Sequence, residues 1–381
     1  IVAVGKFASP TIVINNTTIT KNGKNNGYII CYDASGNYKW HKAITGTGDI
    51  DVTSVTETSQ GIVASINYLG NITVDGKSIT NAGNQDSAIV AFSTDGTYKW
   101  NKKIGGSNDE SIAKVITDSE DNIVAVGGFA SNLTIGTETI NAPTTNYSSS
   151  IMIKFSSATG EYVSSKVFGG TNNDDKIMTA TATEDGGVLL GGWFYSKDFD
   201  IDGDGTNDIT STAGQNDAII VKLNARNEVE WYKTFEGNSY DENYGITQLS
   251  NKSFVAVGGF DSTSLSCGDT ANLLRSQGYS DAYIINLDNV VTSAEIPEIQ
   301  EINVENKLKE FKITTEIEEN SDGERGGTIT GTPLENNINF VEKVKYDYDS
   351  ITPILITPEA GYSVYSVEIN GEKVEFRPDT N

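Results

Sequence analysis

Short apolar runs bounded by Gly, Asp and Asn recur along the first three quarters of the chain. Other segments, such as Ser111–Thr117 and Asn243–Leu249, alternate apolar and polar residues, and helical periodicity is missing throughout. Runs and alternation of this length are typical of β-strands. The pattern therefore predicts an all-β chain built from many short strands.

These strands recur in a fixed order of four. The turn glycines Gly46, Gly106, Gly170 and Gly237 are equivalent and lie 60 to 67 residues apart. The run Ile1–Gly5 is identical to Ile123–Gly127. The first strand of each unit is Gly27–Asp33, Asp86–Phe92, Ser149–Phe155 or Asp217–Leu223, and the fourth is Ile62–Ile66, Ile123–Gly127, Val188–Gly191 or Phe254–Gly258. A unit of this kind indicates a repeat architecture.

Four antiparallel strands at this spacing suit one blade of a β-propeller, because a single sheet cannot bury both of its faces without neighbours. We expect four complete four-stranded blades between about Gly27 and Ser262, with residues 1–9 as a lone fourth strand and Asp281–Asp288 as a lone first strand. Either the two ends pair to close a five-bladed ring, or further blades precede this sequence. A β-solenoid or a string of sandwiches is the alternative.

A second region begins where the repeat stops, at Asn289. We predict a propeller over 1–290, a linker over 291–305 and a small all-β module over 306–381 that lacks its last strand. Asn370-Gly371 is a strong signal for a two-residue hairpin turn. The strands expected in the module are Phe311–Thr315, Gly327–Gly331, Phe340–Tyr346, Ile354–Thr357, Ser363–Asn370 and Glu372–Phe376.

Two family resemblances follow from these motifs. The patterns Asp-Ala-x-Ile-Val-x-Leu, Asn/Asp-Gly-x-x-x-Trp, Phe-Gly-Gly and Gly-Gly-x-x-x-x-Gly resemble the bacterial SBBP-type β-propeller repeats, over about residues 1–290. The unit departs from that pattern at Ser164, where Trp is lost, and at Asn67, where Gly is lost. The C-terminal module resembles small β repeat modules of Gram-positive cell-surface proteins. Together the resemblances imply a secreted or cell-wall-associated, extracellular protein.

One segment contains the residue pattern of a metal-binding loop. Asp200, Asp202 and Asp204 alternate along the chain before Gly205, and Thr206 and Asp208 follow. Carboxylates at alternate positions with a turn glycine can arrange oxygen ligands around Ca²⁺. The segment resembles the calcium loops that join strands in the propellers of integrin α chains. We therefore expect a structural Ca²⁺ site made of Asp200, Asp202, Asp204, Thr206 and Asp208. A solvated acidic turn without metal is the alternative.

The remaining loops and polar residues change this interpretation little. The equivalent loops Asn71–Gly83 and Asn132–Asn146 hold one acid each, Asp75 and Glu138, so only one metal site is expected. Two cysteines, Cys31 and Cys267, do not make a disulfide framework. The single imidazole, His41, is expected to lie on the surface of a strand. Trp40, Trp100 and Trp231 recur at one place in the repeat and are expected to be packing residues.

Charge and motifs narrow the function classes. A net charge of −25 argues against nucleic acid or an anionic membrane as a partner, because both would be repelled. No run approaches the roughly 18 apolar residues of a membrane span. No nucleophile signature is present, so we expect a non-catalytic adhesin or scaffold that binds a protein or glycan ligand through its loops. The alternative is a carbohydrate-active enzyme or its glycan-binding accessory domain.

Overall fold

A computed structural model describes residues 1–210, 215–266, 274–276 and 279–287, together with four short strands between 328 and 374. The chain divides into two units, Ile1–Gln300 and Glu301–Asn381, and the boundary lies within the predicted linker. All regular secondary structure among the described residues is β, which confirms the all-β prediction. No helix in the described ranges has the length and apolar character needed to cross a membrane.

Unit 1 consists of five antiparallel sheets that follow one another along the chain. The first contains β1 (Val2–Phe7), β4 (Asn26–Tyr32) and β5 (Tyr38–Gly46). The second contains β6 (Ile50–Thr58), β7 (Gly61–Leu69), β10 (Gln85–Phe92) and β11 (Tyr98–Ile104). The third contains β12 (Glu110–Thr117), β13 (Asn122–Phe129), β16 (Ser149–Ser156) and β17 (Tyr162–Phe168). The fourth contains β18 (Asp175–Ala182), β19 (Val188–Phe194), β20 (Asp217–Leu223) and β21 (Val229–Phe235). The fifth contains β22 (Asp241–Gln248), β23 (Phe254–Phe260) and β26 (Asp281–Leu287).

The grouping of strands into sheets corrects the predicted units. Each four-stranded sheet takes the third and fourth strands of one sequence unit and the first and second strands of the next. The two strands expected to be alone therefore pair, since β1 pairs with β4 and β26 pairs with β23. The expected four complete blades become three four-stranded sheets, flanked by a sheet of three repeat strands at each end.

The physical reason lies in the connections. The segment between a second and a third strand, such as Gly105–Asp109 between β11 and β12, is held away from a hairpin by its own contacts, since the Gly106 amide donates to Glu110 at the start of β12. It crosses instead from the outer strand of one sheet to the leading strand of the next. We call β6, β12, β18 and β22 the leading strands, and successive leading strands contact one another. Among the described residues no strand pairing joins the fifth sheet to the first, so a closed propeller stays a prediction.

Small hairpins form in the segments between the fourth strand of one sequence unit and the first strand of the next, which were expected to be loops. We call these segments straps. They contain β2 (Thr11–Ile14) with β3 (Thr17–Thr20), β8 (Ile72–Val74) with β9 (Lys77–Ile79), β14 (Leu133–Ile135) with β15 (Glu138–Ile140), and β24 (Ser264–Leu265) with β25 (Leu274–Arg275). The strap of the second sheet pairs through β8 with β5 of the first sheet. Backbone pairing of the straps therefore ties the second, fourth and fifth sheets to the sheet before them.

The core is a series of apolar layers between these sheets. In one layer, Val124, Val126 and Met152 of the third sheet pack with residues of the fourth, and all three are fully buried. Every leading strand also carries a β-bulge at its third to fifth residues, for example between Ile112 and Lys114 in β12. Burial of both faces of a sheet by its neighbours is the arrangement expected of stacked repeats.

Unit 2 is described through two hairpins. β27 (Thr328–Thr330) pairs with β28 (Leu355–Thr357), and β29 (Val367–Ile369) pairs with β30 (Glu372–Val374). The second hairpin pairs Ile369 with Glu372. The expected turn residues Asn370 and Gly371 lie outside the described residues. These strands lie within four of the predicted segments. The other predicted strands, Phe311–Thr315 and Phe340–Tyr346, lie outside the described residues.

Candidate functional sites

The predicted calcium loop is the strap of the fourth sheet. Phe199 and Ile209 exchange backbone hydrogen bonds of 3.0 and 3.1 Å, and both side chains are buried. Asp200 bridges back to Gly169 beyond the end of β17, as β8 does to β5 in the second sheet. Buried apolar ends thus hold residues 200–208 as a loop at the position where the second and third sheets have a hairpin.

Three of the predicted ligands come together in this loop. Carboxylate oxygens of Asp200, Asp202 and Asp208 lie within 4.8 Å of one another. Asp200 accepts backbone N–H bonds from Gly203 at 2.6 Å and from Gly205 at 2.7 Å. Both glycines have positive φ, 78° and 87°, which other residues rarely adopt. The glycines therefore allow the backbone to turn around the Asp200 carboxylate.

Asp204, a fourth predicted ligand, is engaged elsewhere, while the ligand expected from Thr206 was its backbone carbonyl. Asp204 accepts hydrogen bonds from the amide (2.7 Å) and the hydroxyl (2.6 Å) of Thr206. The hydroxyl bond is the main reason why the pKa of Asp204 lies below its ordinary value. The structure thus brings Asp200, Asp202 and Asp208 together and leaves Asp204 and the Thr206 hydroxyl paired with each other.

This donor set fits the chemistry of Ca²⁺. All its candidate ligands are carboxylate oxygens, which suit a hard cation, and the clustered negative charges favour a divalent ion. The equivalent acids Asp75 and Glu138 lie on self-paired hairpins, and Asp75 forms an ion pair with Lys42 at 2.9 Å. Within the described ranges, the group in the fourth strap is the one set of three ligating side chains close enough to share an ion.

A second constellation, which the sequence analysis missed, recurs in three sheets. At the start of β12 the buried Glu110 carboxylate accepts hydrogen bonds from the Gly106 amide (2.7 Å) and the Ser131 hydroxyl (2.6 Å). Gly106 lies in the connection from the second sheet, and Ser131 follows β13. We call such a set of carboxylate, serine and turn glycine a latch. Each latch fixes the crossing between two sheets.

Equivalent latches lie in the next two sheets. Asp175 accepts from the Gly170 amide at 2.8 Å and from the Ser196 hydroxyl at 2.5 Å. In the fifth sheet Asp241 accepts from the Ser262 hydroxyl at 2.7 Å, and Gly237 lies beside both groups, but its amide donates to Asp217 at 3.4 Å. All three carboxylate residues are fully buried. The repeated Phe-x-Ser after each fourth strand, in Phe129–Ser131, Phe194–Ser196 and Phe260–Ser262, is the sequence signal that could have revealed them.

The latch explains why its turn carries glycine. A methyl group on Gly106 would lie 1.9 Å from the Ser131 hydroxyl oxygen, and one on Gly237 would lie 2.0 Å from that of Ser262. Since no side chain tolerates such a distance, the serine requires a glycine in the turn. The Gly-Gly turns are therefore parts of a sheet crossing.

Burial shifts the titration of these carboxyls. Desolvation raises the pKa of Glu110 and of Asp175, although the serine hydroxyls and backbone amides act in the opposite direction. For Asp241 desolvation raises the pKa to about 6, again against the Ser262 hydrogen bonds. Shifted carboxyls of this kind are common in active sites, but structural networks produce them too.

The second sheet has neither group of the latch. Ile50 occupies the position of the acid at the start of β6 and is fully buried in an apolar cluster. Gly70, with φ 69°, occupies the position of the serine. The two latch residues are thus replaced together within one chain.

The recurring tryptophans and the single histidine take structural positions. Trp40 is buried, and its indole N–H donates to the Thr94 carbonyl in the turn of the next sheet at 3.0 Å. Trp100 donates in the same way to Ser157 at 3.3 Å. His41 is half-buried on β5 with its Nδ1 2.6 Å from the Tyr38 hydroxyl, and burial lowers its pKa. These tryptophans therefore join sheets.

Comparisons with known proteins give no name to this arrangement. No family model matches the chain, and no curated protein matches it. A similar solved structure is a crystal structure of a protein of unknown function from Bacteroides caccae, with 12% sequence identity. The match covers 62% of this chain and 80% of that chain with a TM-score of 0.28. A similarity at that level carries no inference, and the resemblance to SBBP-type repeats stays a prediction.

Proposed function

We propose that this chain is a non-catalytic recognition or scaffold protein of an extracellular surface. One observation carries the proposal: buried carboxyls with raised pKa accept a serine hydroxyl at equivalent positions of three successive sheets. A catalytic acid serves one site, whereas an interaction that recurs in successive repeats supports the architecture. Glu110, Asp175 and Asp241, which resemble catalytic acids in isolation, are thereby assigned to holding sheets together.

The straps supply the surface for recognition in this proposal. They are exposed segments held at the ends of rigid sheets, and binding residues commonly lie on loops of that kind. Their sequences differ from sheet to sheet while the pairing to the preceding sheet recurs. A protein or glycan ligand suits such a surface. Nucleic acid does not, since a net charge of −25 repels it.

Calcium binding by the fourth strap is the second part of the proposal. The ion would offset the repulsion among Asp200, Asp202 and Asp208 and order the loop, in a structural role. With 1 mM Ca²⁺ in place of EDTA, we expect the melting temperature to rise by several degrees. The double variant Asp202→Ala, Asp208→Ala should lose the rise, whereas Asp204→Ala is the matched control and should keep it. No rise in the parent protein would dispose of the calcium site.

A glycan array combined with a hydrolase screen tests the main function against the carbohydrate-active alternative. A binding protein should retain particular glycans or proteins without turning them over. Turnover of a glycan without durable binding contradicts the recognition function and favours an enzyme. The calcium test is independent of this outcome, because a structural ion suits either function.

A further inference from the structure

The fifth sheet carries a groove that none of the features above requires. Its volume is about 430 Å³, and it is lined by Tyr240, Glu242, Tyr244, Gly259, Asp261 and Ser280. The groove opens on the face of the sheet that, in the second, third and fourth sheets, is covered by the next sheet along the chain. Its lining combines two aromatic rings with two carboxylates.

The leading strand β22 carries Glu242 and Tyr244, and Tyr240 immediately precedes it. Asp241 and Asn243 are fully buried, so Tyr240, Glu242 and Tyr244 point to the other side of the strand. The bulge between Asn243 and Gly245 then turns Tyr244 over the neighbouring strand. A methyl group on Gly259 would lie 3.3 Å from Cε2 of Tyr244, so this glycine forms the floor beside the ring.

Both rings remain open to a ligand. The exposed fractions of Tyr240 and Tyr244 are 48% and 56%. Rings in this state can receive a cation on their faces. Burial and the hydrogen bond with Glu242 raise the pKa of Tyr244 to about 12, so its phenol stays neutral at physiological pH.

The charge of the groove is negative and uncompensated within the described part of the chain. Glu242 accepts a hydrogen bond from the Asn216 amide at 3.0 Å, and Asp261 accepts one from the Ser280 hydroxyl. Neither carboxylate belongs to an ion pair with a described Lys or Arg. A cation would therefore gain two charged partners on binding.

In the third sheet, the position equivalent to the groove is covered by a residue of the fourth sheet. Gly128 precedes the last residue of β13, as Gly259 precedes the last residue of β23. The stem of Lys176, from the fourth sheet, passes over Gly128, since a methyl group there would lie 3.8 Å from its Cγ. A lysine thus crosses the glycine floor at an internal interface of this protein.

From this geometry we propose that the groove of the fifth sheet binds the lysine side chain of a partner polypeptide. The four-carbon stem packs over Gly259 and against Tyr240 and Tyr244, while the ammonium faces the carboxylates of Glu242 and Asp261. A primary ammonium on an apolar stem matches both parts of the lining. The site is independent of the calcium loop and of the choice between recognition and catalysis above.

The test is an NMR titration with Nα-acetyl-lysine N-methylamide, followed at the Gly259 amide. The norleucine analogue has a similar stem without the charge, and cellotriose tests a sugar in the same groove. The variants are Glu242→Gln with Asp261→Asn, and Tyr244→Ala. The control variant Glu57→Gln with Glu138→Gln removes two exposed acids elsewhere, so that the loss of net charge is matched. Unchanged melting temperatures establish that each variant is folded.

We expect at least a five-fold weaker affinity for the acid double variant and at least a three-fold weaker affinity for Tyr244→Ala. The control variant should stay within 1.5-fold of the parent, and norleucine should leave the Gly259 signal unmoved. Equal weakening by the control variant would show attraction by net charge alone and overturn the proposal. So would an equal response to norleucine, or cellotriose binding that needs the tyrosines and not the carboxylates.

Discussion

The connections that lead into β6 of the second sheet and into β12 of the third sheet are packed by different kinds of residue. At the third sheet a buried carboxylate, Glu110, is held by Ser131 and by the Gly106 amide. At the second sheet the same space holds Ile50 beside Gly70, with no buried ionisable group at either position. A charged network and an apolar contact thus serve the same crossing. The comparison indicates that the carboxylate has a structural role, since the acid and its serine partner are absent together at the second sheet.

At the other end of the sheets, a tryptophan and the turn residue that it contacts in the next sheet are also replaced together. The Trp40 ring packs against Gly96, and the ring of Trp100 packs against Gly160 in the turn of the next sheet. Where Ser164 replaces the tryptophan, the turn residue is Asn227, whose amide lies 3.4 Å from the serine hydroxyl. Contacts between sheets are therefore exchanged as pairs in this chain.

The largest expected effect comes from placing an acid where the partners are missing. Ile50→Glu puts a carboxylate into the apolar cluster beside Gly70, which has no hydroxyl to donate. We expect a loss of about 3–5 kcal/mol in the free energy of unfolding, measured by urea denaturation, because an unpaired buried charge is costly. Ile50→Leu is the control for shape and should lose less than about 1.5 kcal/mol. Similar losses for the two variants would contradict the account.

A smaller effect is expected from removing one partner of an existing latch. Ser131→Ala leaves one oxygen of the buried Glu110 without its hydroxyl donor. The expected loss is about 1–3 kcal/mol in the same urea experiment, the usual cost of an unsatisfied buried acceptor. The exposed Ser107→Ala serves as control and should change stability by less than about 0.5 kcal/mol. A loss no larger than that of the control would mean that the latch contributes nothing.

The pH dependence sharpens the comparison at the fifth sheet. Because burial raises the pKa of Asp241 to about 6, the folded protein binds this proton more tightly than the unfolded chain does. Its contribution to stability is therefore fully present below about pH 4 and is lost as the pH rises through 6. Relative to the parent, Asp241→Asn should gain about 1–3 kcal/mol between pH 4.5 and 7 in urea denaturation. A constant difference across this range would show that Asp241 titrates normally.

The strands could be predicted from the sequence because apolar runs and turn residues are local signals. Their grouping into sheets could not, since a short Gly-Gly segment reads equally as a hairpin turn or as a crossing such as Gly105–Asp109. Alternation predicts faces of a strand, and Tyr240, Glu242 and Tyr244 carried that signal. The Glu110–Ser131 contact was hidden because its partners lie 21 residues apart, at the start of β12 and beyond the end of β13.

The candidate metal site, too, could be predicted from the sequence only in part. The alternate spacing of Asp200, Asp202 and Asp204 indicated that the loop could surround an ion. It could not indicate that Thr206 would draw Asp204 away, because two hydrogen bonds within the turn decide that orientation. Which acids converge depends on the backbone turn at Gly203 and Gly205 and on the buried ends Phe199 and Ile209.

The most direct measurement of the central claim is a double-mutant cycle on Glu110 and Ser131. The variants Glu110→Ile, Ser131→Gly and their combination convert the latch of the third sheet into the pair found at the second sheet, and urea denaturation gives each free energy of unfolding. If carboxylate and serine form one structural unit, the combined loss should be smaller than the sum of the single losses by at least about 1 kcal/mol. Strictly additive losses would contradict the account, because each residue would then act without the other.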